Sequence, residues 1–546
     1  MLRTVADRLY ENLWATLLRR IVTCVLAVLV GCGTYVLVSW LTVEARTCAE
    51  GVTESGGECV GVNGSGYSFG VAETAPVARW IAEENRRVEK RPHVTVAVML
   101  PLQPDSRAER RQLRSELQGA FLAQYRANRE PGKPLLRLVL ANPGKDYARQ
   151  GEVVPDLVRM SRSPRHNLRA VTGFNLSLDA TRDAVRSLTD QQVPVLVARA
   201  SADALANRES DDGTYDFKGL ARIIPTNEQQ AHALADFNGS RTDRQTVLVR
   251  DTRGDPYVRS LARAFQRLPE DGPPGPDDMT FTSEGVAEPG DVDNQFRPTV
   301  NTICNSGADT VYFAGRSTHL RLFLKRLAQE ACADRKFTVV SGSDAASLEY
   351  RMTREDWAEL RDGSGKPRMT VQYAAPAHPD AWSTEVRRWQ EKERKRTGEK
   401  PPSEKAPRSL RDPLAELGWL REDIAAVQSS GEGMGPSRLS DSRTMLVHDG
   451  VYTAVEGIRG AKPTGRAAPS TEQVGRRWAT MQAGNRVDGT SGRICLTKAG
   501  NPYDKPLAVV ELKPGAKDAR GTLGFVGLAW PTGERQPEDC VVRSSD

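Results

Sequence analysis

The feature that most constrains this chain is an alternation of short β-rich runs with amphipathic helical stretches, repeated between residues 94 and 344. Residues 94–100 are β-rich and end at Pro101. Residues 111–128 place Leu113, Leu117, Phe121 and Tyr125 at i+4 spacing, which predicts a helix. A second strand is predicted over 135–140, closed by Asn142, Pro143 and Gly144, and a third over 169–173. A helix over 179–192 leads into a β-like run at 193–198. Strands at 246–250 and 309–313 are followed by helices at about 256–266 and 320–331, and 337–340 ends in a Ser-Gly-Ser-Asp turn. Strands separated by helices pair in parallel, so the fold class is α/β. About eight such units exceed one open sheet and predict two doubly wound lobes.

The 546 residues carry 76 Lys and Arg against 70 Asp and Glu, a net charge of +6. So small a surplus excludes the basic footprint of a nucleic-acid binder. Hydrophobic residues at 39% and charged residues at 27% exclude a multi-spanning membrane protein. Residues 21–43 carry no charge and are long enough, as a helix, to cross a ~30 Å hydrocarbon core. Arg3, Arg8, Arg19 and Arg20 precede this run, whereas Glu44, Glu50, Glu54 and Glu58 follow it with Arg46 alone against them. That asymmetry predicts a cytoplasmic tail over 1–20, a single transmembrane helix over 21–43 in the cell membrane, and the bulk of the chain outside. Two alternatives stay open: a lipidated Cys32 in Leu29-Val30-Gly31-Cys32, and a cleaved signal peptide.

Cysteine usage agrees with the outward topology. Cys24 and Cys32 lie in the apolar run, and Cys48, Cys59, Cys304, Cys332, Cys495 and Cys540 lie beyond it. An even number in an oxidising compartment predicts disulfides. Six cysteines allow 15 connectivities, of which neighbour pairing (48–59, 304–332 and 495–540) is the simplest expectation.

Motifs for catalysis are poor, and the chain is read as a non-enzyme with no metal or cofactor site. Gly363-Ser364-Gly365-Lys366 resembles a phosphate loop, but Leu360 and Pro367 stand where Gly and Ser or Thr are required. Gly66-Tyr67-Ser68-Phe69-Gly70 matches a nucleophile elbow by letter only, because no strand pattern precedes it.

In a doubly wound sheet the loops after the strands' carboxyl ends meet in one crevice. Here these are 102–106, 172–177, 199–202, 251–257, 315–318 and 341–344. Each of them is followed by a helix start, whose free N–H groups and positive dipole end suit an anion. Ser177, Ser201 and Asp344 are the candidate polar groups, each with the plainer alternative of a helix cap.

The order of elements resembles the type I periplasmic-binding fold in its branched-chain amino-acid, leucine-binding-like branch, over about 94–512. Carrying stretches are Arg222-Ile-Ile-Pro-Thr-Asn-Glu-Gln-Gln230 and Arg250-Asp-Thr-Arg-Gly-Asp-Pro-Tyr257 with Leu261-Ala262. Two more are His448-Asp449-Gly450-Val451-Tyr452-Thr-Ala-Val-Glu-Gly457 and Gly489-Thr-Ser-Gly-Arg-Ile494 with Gly500. The resemblance implies a bilobed clamp that binds a small polar solute and presents it to an ABC-type membrane permease. It implies that Ser177 and Ser201 hold a ligand carboxylate, Asp344 a ligand ammonium, Asn227 and Tyr257 inner contacts near the hinge, and 315–317, with Arg316 and Ser317, a covering loop. Arg199 and Arg316 depart from the family pattern and favour a more anionic ligand, or close the cleft altogether.

The expected organisation is a collar and spacer over 44–90, lobe 1 over 91–223 and 370–460, and lobe 2 over 224–369 and 461–546. A charged helix is expected at 381–400, and a partly disordered surface insert at 401–443 with a short amphipathic helix near 414–424. The expected function is a membrane-anchored extracytoplasmic solute-binding protein for an amino acid or small anion. The rival is a solute-sensing or ligand-degenerate interaction ectodomain.

Overall fold

The computed structural model describes residues 16–41, 46–131, 134–210, 214–239, 246–268, 278–330, 332, 335–362, 366–461, 468–514 and 521–542. The first sheet is built from β1 (Thr47–Ala49), β2 (Val52–Ser55), β3 (Glu58–Asn63), β4 (His93–Met99), β5 (Leu135–Asn142), β6 (Leu168–Gly173), β7 (Val195–Val197) and β8 (Leu220–Arg222). Its order is β1-β2-β3-β5-β4-β6-β7-β8. The second sheet contains β9 (Thr246–Asp251), β10 (Met279–Phe281), β11 (Thr310–Ala314), β12 (Phe337–Ser341) and β13 (Met369–Ala375). After the small hairpin β14 (Val487–Gly489) and β15 (Gly492–Ile494), it gains β16 (Leu507–Lys513) and β17 (Thr522–Ala529), in the order β10-β9-β11-β12-β13-β16-β17. In each sheet the central strands pair in parallel. Successive residues such as Val94, Thr95, Val96, Ala97 and Val98 are all buried, as expected where helices cover both faces.

The helix Arg107–Ala127 shows why the chain forms these layers. Ser106 caps it by accepting from the Glu109 N–H, and Leu113, Leu117 and Phe121 point into the core. The helix Arg443–Gly460 lies against it. A Cβ at Gly119 would overlap the carbonyl oxygen of Thr444, so glycine is what permits this close approach.

Three expectations change. Residues 46–88 are not a spacer. β1, β2 and β3 form an antiparallel meander that extends the first sheet through β3–β5, and the helix Ala75–Val88 buries Val77, Ile81 and Val88 against it. Residues 401–443 are ordered. The helix Arg408–Ser429 buries Leu410, Leu417, Leu420 and Val427, whose spacing gives one apolar face. Its end is fixed by the Trp80 indole N–H donating to the Gly433 carbonyl at 2.9 Å and by the Gln118 amide donating to the Met434 carbonyl at 2.9 Å. The lobe boundaries also move. β13 pairs with β12 and β16, so residues 369–375 belong to the second sheet. The helix Thr471–Arg477 packs on β6 and on Arg443–Gly460 in the first lobe. The charged helix forms as expected, over Ala381–Thr397.

Leu17–Leu41 is an α-helix of 25 residues. Among the described residues, no helix is long and apolar enough to cross a membrane. The transmembrane expectation is therefore not met within the described residues, and the calls on 1–15 and 42–45 lie outside them.

The cysteines pair as neighbours: Cys48–Cys59, Cys304–Cys332 and Cys495–Cys540, with Cα separations of 5.9, 5.4 and 6.0 Å. The last closes a loop of sequence separation 45. Replacing both Cys495 and Cys540 by Ser is expected to cost about 4 kcal/mol through the loop entropy returned to the unfolded chain. Chemical denaturation of the double variant beside the parent measures it.

Candidate functional site

Loops from the carboxyl ends of the two parallel sheets face each other. From the first lobe come the loops after β4, β5, β6 and β7, and from the second those after β10, β11 and β12. Together they enclose a cavity of about 320 Å³. The loop after β5 holds an unusual backbone: Asp146 and Tyr147 have φ of 53° and 63°, both in the left-handed region. The Tyr147 hydroxyl fixes it by donating to the Met99 carbonyl at 3.2 Å and accepting from the Asn175 N–H at 3.2 Å. Three strand tips are thereby tied together.

The cavity wall carries both signs of charge. Lys145 lies 3.0 Å from Asp105 and, across the cleft, 3.1 Å from Glu288. Arg351 of the second lobe donates to Glu109 of the first at 2.9 Å. Arg443 of the first lobe donates to the Ser347 hydroxyl of the second at 2.8 Å. Deeper in, Glu116 is buried between Arg199, the Asn175 amide at 3.0 Å and Arg443 at 3.9 Å. Burial first, and then the neighbouring Glu288, push the Asp146 carboxyl above its ordinary range. Burial, joined by the nearby Arg443 cation, lowers the Arg199 guanidinium.

At the inner end, Ser177, Ser201, Tyr257, Arg316 and Asp344 do converge, around a space of only about 30 Å³. Arg316 fills the centre. Its Nε donates to Asp255 at 2.9 Å, its Nη2 to the Ser177 carbonyl at 3.4 Å, and its guanidinium lies 4.5 Å from the centre of the Tyr257 ring. The Ser177 hydroxyl accepts from the Ala202 N–H at 3.1 Å. The Asp344 carboxylate accepts from the Ser317 N–H at 2.8 Å, while its own N–H donates to the Tyr257 hydroxyl at 3.1 Å. Burial alone would raise the Asp344 carboxyl, but Arg316 and the Ser317 N–H outweigh it and hold it below the carboxylate range.

Two expected contacts fall elsewhere. Asn227 lines neither space; its amide donates to the Tyr257 carbonyl at 3.0 Å and the Ser260 hydroxyl at 2.8 Å, tying the start of its helix to the second lobe. Ser317 turns its backbone, not a free hydroxyl, toward Asp344, and also lines neither. Residues that the sequence reading missed include Glu116, Asp146, Glu288, Arg351 and Arg443. Glu116 had a signal: an acid next to Leu117 and three residues from Leu113, on the apolar side of its helix. Arg443 had none, because it stood at the edge of a segment expected to be irregular.

Behind the cleft, two sequence stretches that carried the resemblance meet. The buried Asp449 carboxylate accepts from the Thr490 N–H at 3.0 Å, the Thr490 hydroxyl at 2.9 Å, the Ser491 N–H at 2.8 Å and the Ser491 hydroxyl at 2.5 Å. The Lys505 amine donates to the Ser491 hydroxyl at 2.7 Å and to the Ile223 carbonyl at 2.8 Å, where the chain crosses between lobes. Burial, only partly opposed by Asp449, brings Lys505 down from 10.5 to about 8.

The fold is the type I periplasmic-binding fold, an α/β architecture of two lobes. The leucine-binding protein LivK of Thermotoga maritima superposes with a TM-score of 0.51 at 15% identity, covering 80% of this chain and 99% of that one. The branched-chain amino-acid binding protein LivJ of Streptococcus pneumoniae, solved with isoleucine, gives 0.50 at 13% identity over 80% and 100%. An ABC transporter substrate-binding protein of Desulfitobacterium hafniense gives 0.50 at 15% over 80% and 100%. These neighbours are solute-binding proteins, not enzymes. No family model and no curated protein matches the sequence.

The Lys505 site has a pH signature. Between pH 8 and 10.5 the unfolded chain still holds the proton that the buried amine has released, so stability rises with pH across that window. Melting temperatures measured over this range should rise relative to Lys505→Met, whose own profile lacks the increment.

Proposed function

We propose that this chain is an extracytoplasmic solute-binding clamp, held at the membrane by its N-terminal helix and serving an ABC-type importer. The reading is carried by one observation: strand-tip loops of two opposed lobes enclose a cavity of about 320 Å³ walled by charges of both signs. Its solute is a small polar molecule, an amino acid or related compound. A carboxylate on it meets Arg351 and Arg443, an ammonium meets Asp146, and Ser177, Ser201, Tyr257, Arg316 and Asp344 form the floor. Proteins of the same fold are leucine-binding or carry isoleucine, which supports this class. The anchor is supported by the uncharged run 21–43 with arginines before it, and the outward location by three disulfides.

The filled inner end of the cleft favours a second reading, in which the lobes act as a sensing or interaction ectodomain without transport. A thermal-shift screen over amino acids and small anions separates the two. A true solute stabilises by RT ln(1+[L]/Kd), about 2.7 kcal/mol at a hundredfold excess over Kd. Arg351→Ala and Asp146→Asn should then each weaken it by about tenfold, as expected for losing a charged hydrogen bond. No shift with any solute would sink the transport reading and leave the ectodomain.

A further inference from the structure

The guanidinium of Arg316 is almost fully enclosed, with 5% of its side chain exposed, yet it belongs to the second lobe and reaches the Ser177 carbonyl of the first. It has an acid at Asp255, an aromatic face at Tyr257 and the Asp344 carboxylate nearby. Glu116, on the wall of the outer cavity, is likewise a buried carboxylate with partners, all from its own lobe: Arg199, Asn175 and Arg443. Burying charges in a low-dielectric cleft is costly unless each has a partner. Here the partners come from the chain itself, and the closure is continued by Lys145 with Glu288, Arg351 with Glu109, and the Tyr350 hydroxyl donating to Asp441 at 2.8 Å.

We infer that the clamp carries its own internal guest: Arg316 fills the inner cleft and holds the two lobes closed when no solute is present. The inference rests on the proposed clamp reading for the place of the solute, which is left the outer cavity alone. A ligand shifts a conformational equilibrium only by its differential affinity for the two states. Solute binding therefore produces little further closure, and the outer face of the closed lobes is presented constantly.

The test uses no solute, so its result is independent of whether one is ever found. Amide hydrogen exchange is followed on the full-length chain over the cleft segments 100–113, 284–290 and 343–351. In the wild type these segments are expected to be protected without any addition. Arg316→Ala should speed their exchange by about tenfold, and millimolar ethylguanidinium should restore protection by refilling the vacated place. Exchange in the remote helix Gln150–Arg162 reports whether that variant is folded. If it is not, the double variant Lys145→Met with Arg351→Met reads the same closure from the rim, and 1 M NaCl should loosen the wild-type rim in the same direction. Rapid exchange of the cleft segments in the solute-free wild type would overturn the proposal. So would a folded Arg316→Ala, or a folded rim double variant, with unchanged protection.

Discussion

The buried carboxylate of Asp449 is the constraint on which the rest of the architecture turns. It sits on the helix Arg443–Gly460, which packs along Arg107–Ala127, and it takes four hydrogen bonds from the tip of the β14–β15 hairpin. Through Ser491 it reaches Lys505, and through Lys505 the Ile223 carbonyl in the first crossover between lobes. One anion thus joins a helix of the first lobe, the hairpin, and two crossover segments. Removing the carboxylate would leave the Thr490 and Ser491 N–H groups buried without an acceptor, which costs more than the net worth of the bonds themselves. The position of the hinge, and with it the way the strand tips of the two sheets oppose each other, follows from that arrangement.

The cleft uses the same physics for a different end. The hinge pair is entirely enclosed and bonded to backbone, which fixes geometry. The cleft charges grade from fully buried Arg316 and Glu116 to half-exposed Lys145, whose pairs are weaker and screened by salt. Asp146 sits between these zones on a left-handed turn that only its packing can hold.

Much of the fold was legible because it is written in local periodicity. The β-rich runs and the i+4 spacing of Leu113, Leu117 and Phe121 gave strands and helices within a few residues of those observed. Neighbour pairing of the cysteines also held. What failed depends on long-range packing. The segment 46–88 carries no α/β alternation, and only its pairing with β5 makes it part of a lobe. The stretch 401–443 is polar enough to suggest disorder, yet a few leucines on one face suffice to seat it. The candidate site was half visible. Ser177, Ser201, Tyr257, Arg316 and Asp344 do meet. That Arg316 would occupy the space among them depends on the reach of one side chain, which no pattern of residue types encodes.

The link between Cys48 and Cys59 has a mechanical meaning. It joins β1, the outermost strand of the first sheet, to β3, which is bonded to β5 in the body of that sheet. Tension applied to the chain ahead of Arg46 passes through the sulfur bridge and skips residues 49–58, so the hydrogen bonds of the meander need not be unzipped one by one. The polypeptide is thereby moored at its first strand by a covalent tether, and the load is delivered at Cys59, on the strand paired with β5, rather than at the margin of the sheet.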